Sequence, residues 1–386
     1  MSPTVDVPAL LDWVGQHRED MLADLAKYVE IETPSDDRAC LVAGLSYLDG
    51  WVRERLGDPA AVREYDGGQH GDIRVYDFPG EGDQPLLLLC HYDTVWPRGT
   101  LAEWPFTVDG DTVTGPGVFD MKSGLVQAVW ALRALAEAGL PRPPIRLVLN
   151  GDEEIGSPAS RPVIEAEAAG TRAALVFEAS ADGAIKTARK GVGLFQITVE
   201  GVAAHAGLDP TKGVSAIDEL ARAVLALHAL TDLDAGTSVN VGVVTGGTRS
   251  NVTAATAHGN IDIRVRSASE LARVNAALAA LRPHNPRATL TITGDWNRPV
   301  MERSPGTVDL YHQARRLATQ INLDLRDCAV GGASDGNFVA ALGLPVLDGF
   351  GAVGDGAEAR HEHISIRGML ERTALAAALI TTQTIR

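Results

Sequence analysis

The chain has 386 residues, 45% hydrophobic and 22% charged, with 34 Lys plus Arg against 50 Asp plus Glu and a formal net charge of −16. That length suits two or three domains, each able to bury a core. The charge opposes binding to nucleic acid or anionic membranes, and part of the acid excess is available to hold cations. No apolar run approaches the ~20 residues of a membrane span. The start MSPTVDVPALLDWVGQHRED lacks a basic region followed by an apolar core, so the expectation is a soluble, cytoplasmic protein. Cys40, Cys90 and Cys328 are well separated and form no CxxC pair, which predicts free, buried thiols.

From Pro8 to about Glu30, Leu11, Val14, Met21, Leu22 and Leu25 recur at helical spacing and predict an amphipathic helix. The apolar runs Leu86–Cys90, Ile145–Leu149 and Ala174–Phe177 suit strands buried on both faces. Between the first two, Leu125, Val129, Leu132 and Ala136 share a helical face that ends at Gly139 and Pro141. Strand, helix, strand implies an α/β domain with a mainly parallel sheet.

The pattern changes near Gly191. Phe195, Ile197 and Val199 alternate with Gln196, Thr198 and Glu200, as in a half-exposed strand. A helix at 215–230, strands at 238–244 and 259–266, a helix at 268–282 and the strand Thr289–Thr293 follow. This β-α-β-β-α-β order is that of a ferredoxin-like sandwich. The α/β pattern resumes after Pro299, with a helix at 307–320 and a strand at Pro345–Phe350. The expected organisation is a discontinuous catalytic domain, 1–188 and 299–386, with an inserted α+β domain at 189–298.

Acids and one histidine gather at predicted strand ends. His91 follows the run 86–90, where ligands collect in open α/β sheets, and Asp93 is placed to accept its second ring N–H. Taken alone, His91 also reads as a surface histidine. Asp120, in Gly115-Pro-Gly-Val-Phe-Asp-Met-Lys122, reads alone as a helix N-cap. Glu153 and Glu154, in Asn150-Gly-Asp-Glu-Glu-Ile-Gly156, repel each other unless they share a cation or proton. Glu178 ends the strand at 174–177. Together these residues are brought to one sheet edge, which points to a metal centre.

His91-Tyr-Asp-Thr-Val-Trp-Pro97, Trp104-Pro-Phe106, Gly115–Lys122 and Gly151-Asp-Glu-Glu154 resemble, in order, the M20 family of co-catalytic zinc peptidases, nearest its glutamate carboxypeptidase and N-acyl-amino-acid hydrolase branch. The resemblance covers nearly the whole chain. It implies two divalent ions, zinc by the family pattern, with His91 and Glu178 on one, Glu154 on the other and Asp120 bridging. It makes Glu153 the general base, and a Glu at position 178 goes with carboxypeptidases and acyl-amino-acid hydrolases. It implies a homodimer in which His205, in Gly201-Val-Ala-Ala-His-Ala-Gly207, reaches the partner subunit's site, the insertion acting as lid and dimerisation domain. Asn251 and Arg264 match positions that hold the substrate carbonyl and carboxylate, although strand alternation alone leaves Arg264 a solvated arginine. Gly331-Gly-Ala-Ser-Asp-Gly-Asn337 resembles a glycine-rich loop whose N–H groups, those of Gly332 and Ser334 included, receive the substrate carboxylate.

The family closes its site with a histidine ligand ahead of a Glu-aromatic or Glu-His pair. Aligning Glu362-His-Ile364 with that pair puts Glu358 at the ligand position. A second site of Asp120, Glu154 and Glu358 is all oxygen, less suited to zinc and tolerant of manganese, magnesium or calcium. Two alternatives stand beside it: His361 or His363 swings in, or the second metal is weak or missing. The implied reaction is hydrolysis of the amide of an N-acyl or N-peptidyl amino acid with a free carboxylate. An aminopeptidase or deacylase is the near rival, and a degenerate homologue that binds or condenses acyl amino acids is the distant one.

Overall fold

The computed structural model describes residues 5–385; the first four residues of the start considered above lie outside them. Contacts divide the chain into two compact units, Met1–Ala188 with Arg303–Val330 and Ser334–Arg386, and Arg189–Glu302 with Gly331–Ala333. The chain returns to the first unit at 303 rather than 299, and the glycine-rich loop is split between the units.

The first unit is built on a six-stranded sheet in the order Ala61–Tyr65, Ile73–Phe78, Ile145–Asn150, Leu86–His91, Ala173–Val176 and Val346–Leu347. The last four strands run parallel, and Ile73–Phe78 pairs antiparallel with both Ile145–Asn150 and Ala61–Tyr65. Leu86 to Cys90 are all buried, as a strand covered on both faces requires. The helix Ser123–Glu137 is buried nearly all round, Trp130 included, because it is packed among the sheet and the helices Val7–Gln16, Arg18–Val29, Arg38–Leu56 and Ile366–Thr382. Ala136, expected on its buried face, is exposed.

The single N-terminal helix predicted from Pro8 is two helices, Val7–Gln16 and Arg18–Val29, interrupted at His17, whose ring stacks on Trp13. The strand expected at Pro345–Phe350 is only Val346–Leu347; beyond it Asp348 pairs through its backbone with Lys186, and the Phe350 N–H reaches the Val176 carbonyl. None of the three cysteines is in a disulfide, but only Cys90 is buried and Cys40 and Cys328 are partly exposed. Among the described residues no helix is long and apolar enough to cross a membrane.

The second unit has the strand and helix order expected of a ferredoxin-like sandwich. Its antiparallel sheet runs Ser238–Gly246, Thr256–Val265, Gly191–Glu200, Thr289–Arg298, with helices Ala216–His228 and Ala268–Ala280. Ile197, Val199, Leu220, Leu227, Ile261, Ile263 and Val274 form its core.

Candidate metal centre

Register brings the site together. Leu89 pairs with Val176 and His91 with Asn150, so the carboxyl ends of three parallel strands finish side by side. Two residues beyond the Leu89–Val176 pair, His91 Nε2 lies 3.4 Å from Glu178 Oε1. Asp120 arrives on the turn Val118–Lys122 that leads into the helix Ser123–Glu137. Only a glycine fits just after that turn: a Cβ on Gly124 would lie 1.8 Å from the Phe177 carbonyl oxygen. That close approach sets Asp120 beside the strand end carrying Glu178, with Asp120 Oδ1 3.3 Å from His91 Nε2. Asp120 is not an N-cap; Lys122 precedes the helix and makes no side-chain cap.

Asp93 does more than its predicted part. The His91 Nδ1 hydrogen bond goes to the Asp93 backbone carbonyl at 3.1 Å, with the carboxylate at 3.4 Å. The carboxylate accepts the N–H groups of Glu153 and Glu154, both at 3.2 Å, and the Ser35 hydroxyl at 2.7 Å. Asp93 is thus a buried hub that fixes the imidazole and the Glu153-Glu154 pair together.

Two sets of donor atoms result, His91 with Glu153 and Glu178, and His91 with Asp120 and Glu154, the atoms of each set all within 4.8 Å of one another. The electrostatics favour added positive charge. Desolvation and the charges of Asp120, Glu153 and Asp93 raise the Glu154 carboxyl well above 4.5. Burial works against a charged His91, but its hydrogen bonds to the acceptors Asp120, Asp93 and Glu178 outweigh it and raise the imidazole well above 6.5. Both shifts mark a place where added positive charge is favoured, and one imidazole ringed by carboxylates suits a divalent ion.

Glu358 is the residue of the C-terminal turn whose carboxylate senses this cluster: partial desolvation, then the charges of Asp120 and Glu178, raise it above 4.5. It stands in the left-handed region at φ 59° and is not in either donor set. His361 is exposed and His363 pairs with Thr114 in a small sheet, so the structure brings neither into the cluster.

The remaining sequence-predicted residues separate. His205, Asn251, Arg264 and Gly332 belong to the second unit and Ser334 to the first. His205 is exposed, and its Nδ1 accepts the N–H groups of Gly207 and Leu208, which leaves Nε2 as the protonated donor of the neutral ring. Asn251 is held beside it, its carbonyl accepting the Ala206 N–H at 3.0 Å. Arg264 uses Nε and Nη2 on Asp262, both at 2.8 Å, a two-point contact that fixes its guanidinium. Gly332 is exposed. Ser334 is the exception to its expected role: it is fully buried, its hydroxyl donates to Asp348, and its N–H is taken by Asn337 Oδ1 at 3.0 Å. It braces the loop instead of facing a substrate.

Sequence reading passed over two acids. Asp335, in the glycine-rich motif, accepts from the Asn150 amide at 2.7 Å and from the Ser157 hydroxyl, tying that loop to the Glu153-Glu154 segment. Glu362, used only to set the alignment, is buried and receives N–H donors from the Asp120 turn. The motif spacing pointed to both without showing what they hold.

A parallel sheet whose strand ends gather an imidazole and several carboxylates around a cation-favouring centre is suited to hold divalent metal. Residues 87–382 match the model of peptidase family M20/M25/M40, and the chain belongs to that family. Over 373 residues it is 30% identical to carboxypeptidase G2 of Pseudomonas sp. strain RS-16, covering 93% of this chain and 88% of that protein. It shares its fold with a tripeptidase from Staphylococcus aureus subsp. aureus Mu50, with a TM-score of 0.80, 20% identity and coverage of 96% of this chain and 99% of that one. An M20 family metallo-carboxypeptidase from Sulfolobus solfataricus gives a TM-score of 0.70 at 16% identity, covering 95% and 99% of the two chains. The activity class is accordingly hydrolysis of the metallopeptidase type.

Proposed function

We propose that this protein hydrolyses the amide bond of an N-acyl or N-peptidyl amino acid with a free α-carboxylate, with two divalent cations held at the strand ends. The observation that carries the reading is the convergence of His91, Asp120, Glu153, Glu154 and Glu178 at one sheet edge. His91 and Glu178 would hold one cation and Glu154 with Glu358 the other, with Asp120 available to both. Zinc suits the first position, and the oxygen donors of the second admit manganese, magnesium or calcium. Bound there, the cations supply Lewis acidity, which acidifies water and polarises an amide carbonyl. Glu153 takes the proton of the attacking water and delivers it to the leaving nitrogen, so that one amide and one water become an acid and an amine.

The remaining roles follow the residues' donors. The Nε2–H of His205 is suited to the substrate carbonyl oxygen, with Asn251 beside it, and the guanidinium of Arg264 to the α-carboxylate. Gly332 contributes its exposed backbone. We assign His205 to the partner subunit's site in a homodimer. The edge strand Ser238–Gly246, with exposed Val243 and Val244, and the exposed Ile217 and Leu225 of the neighbouring helix support that pairing.

The similarity to a carboxypeptidase and the presence of Glu178 favour carboxylate-bearing substrates over those of an aminopeptidase. The test is a panel of N-acyl amino acids and dipeptides, each compared with its α-carboxamide. Losing a hydrogen-bonded charge should lower kcat/KM by roughly 10- to 100-fold for the carboxamide. Equal turnover of both forms would remove the carboxylate from the reading. Activity confined to substrates with a free amino terminus would move the protein to the aminopeptidases.

A further inference from the structure

Glu362 lies four residues beyond Glu358, is fully buried, and has no part in the chemistry described so far. Each of its oxygens accepts two N–H groups. Oε1 receives those of Phe119 at 2.8 Å and Asp120 at 3.0 Å; Oε2 receives that of Gly117 at 3.1 Å and the Trp96 indole at 2.9 Å. Four donors converging on two oxygens are matched by a carboxylate and by no neutral side chain of the same size, because an amide or a carboxylic acid would turn a donor toward donors.

The donors come from the two segments that bring ligands to the centre. Three belong to the turn that presents Asp120 and the glycine just before it, and Trp96 belongs to the loop that follows His91. On its own strand of chain, the Glu362 N–H closes on the Ala359 carbonyl and the Ala359 N–H on the Gly356 carbonyl, both at 2.9 Å. Those two tight turns fix Glu358 at the third position of the first, where its φ is 59°. A single buried side chain therefore joins the Asp120 turn, the His91 loop and the Glu358 turn.

We propose that Glu362 is a positioning residue for the second cation: it sets the distance between Asp120 and Glu358 without touching cation or substrate. The proposal rests on the reading of Asp120 and Glu358 as ligands. Loss of such an outer partner costs about 10- to 100-fold in metal affinity, and the loss should fall on the position shared by Asp120 and Glu358 more than on the one held by His91 and Glu178.

The test uses the full chain loaded with zinc, parent against Glu362→Gln, which keeps the volume and replaces one acceptor by a donor. After brief exposure to a mild chelator, the variant should lose the weaker cation at a roughly 10- to 100-fold lower chelator concentration. Its kcat should fall in parallel while KM changes less than about threefold, and added zinc or manganese should restore part of kcat. A purely structural role would lower Tm without separating the two cations, and added metal would leave kcat where it was; that result overturns the proposal, as does a variant that keeps both cations and the parent rate. If the Gln variant does not fold, Glu362→Asp, which retains the charge but is one methylene shorter, is read in the same way. A parent protein that binds no divalent cation would defeat the functional reading itself, so the two failures are distinguishable.

Discussion

Glu153→Gln is expected to lower kcat by about 10²- to 10⁴-fold while leaving bound metal at the parent level. The substitution keeps the shape of the side chain and removes its ability to accept a proton. Geometry makes this a demanding test, because a Glu153 oxygen lies in the same donor set as His91 and Glu178, close enough to act as a ligand. Its neighbour decides between the roles. Asp93 holds both backbone N–H groups of the pair at the same distance, and burial and the charge of Asp120 raise the Glu154 carboxyl well above 4.5, which suits Glu154 to the place beside a cation. Metal content and turnover measured on the same preparation separate the roles; loss of both together would put Glu153 in the metal shell.

Glu358→His is the second large effect, and it is a gain. In the parent the second position adds a carboxylate to a cluster that already charges Glu358 against Asp120 and Glu178. An imidazole removes that negative charge and supplies a nitrogen donor that zinc prefers. Zinc at the weaker position should be retained at least about tenfold more tightly, or 1.4 kcal/mol, and turnover with zinc should rise with it. His361→Ala and His363→Ala should change little, since one side chain is exposed and the other sits on a strand paired with Thr114. Tight zinc in the parent that is lost in either of these variants, and kept in Glu358→Ala, would give the ligand position to a histidine.

What could be read from the sequence follows how local each cause is. Strands covered on both faces must be apolar throughout, so Leu86–His91 and Ile145–Asn150 stood out, and with them the places where His91 and Glu153 emerge. The antiparallel strands Ala61–Tyr65 and Ile73–Phe78 were missed. The first is an edge strand with no fully buried residue, and the second is joined to it through a polar, glycine-rich segment that reads as turn. The fate of Asp120 depended on Gly124 touching the Phe177 carbonyl, a contact 53 positions apart in the chain. Ser334 looked available because its motif is glycine-rich, yet Asp348 and Asn337, both from later in the chain, take its hydroxyl and N–H. Glu362 was visible only as a letter in an alignment, since its four donors come from segments more than 240 residues away. Periodicity and spacing report a residue's own element; the hydrogen bonds that define a site are made across elements.

If the acids and His91 at the strand ends hold the cations on which hydrolysis depends, adding metal back to stripped protein should show it most directly. Without cations, the folded chain binds more protons than the unfolded one at both Glu154 and His91, because both pKa values are raised. Stability from His91 is fully present below 6.5 and is lost as pH rises through its folded value, and the Glu154 contribution declines in the same direction from 4.5 upward. The stripped protein should therefore unfold at progressively lower temperature as pH climbs from weakly acidic to neutral, and should not turn over an N-acyl amino acid. Zinc or manganese added at neutral pH should flatten that decline and restore turnover together. Full turnover by protein shown to be metal-free, or divalent binding that changes neither stability nor rate, would contradict the assignment.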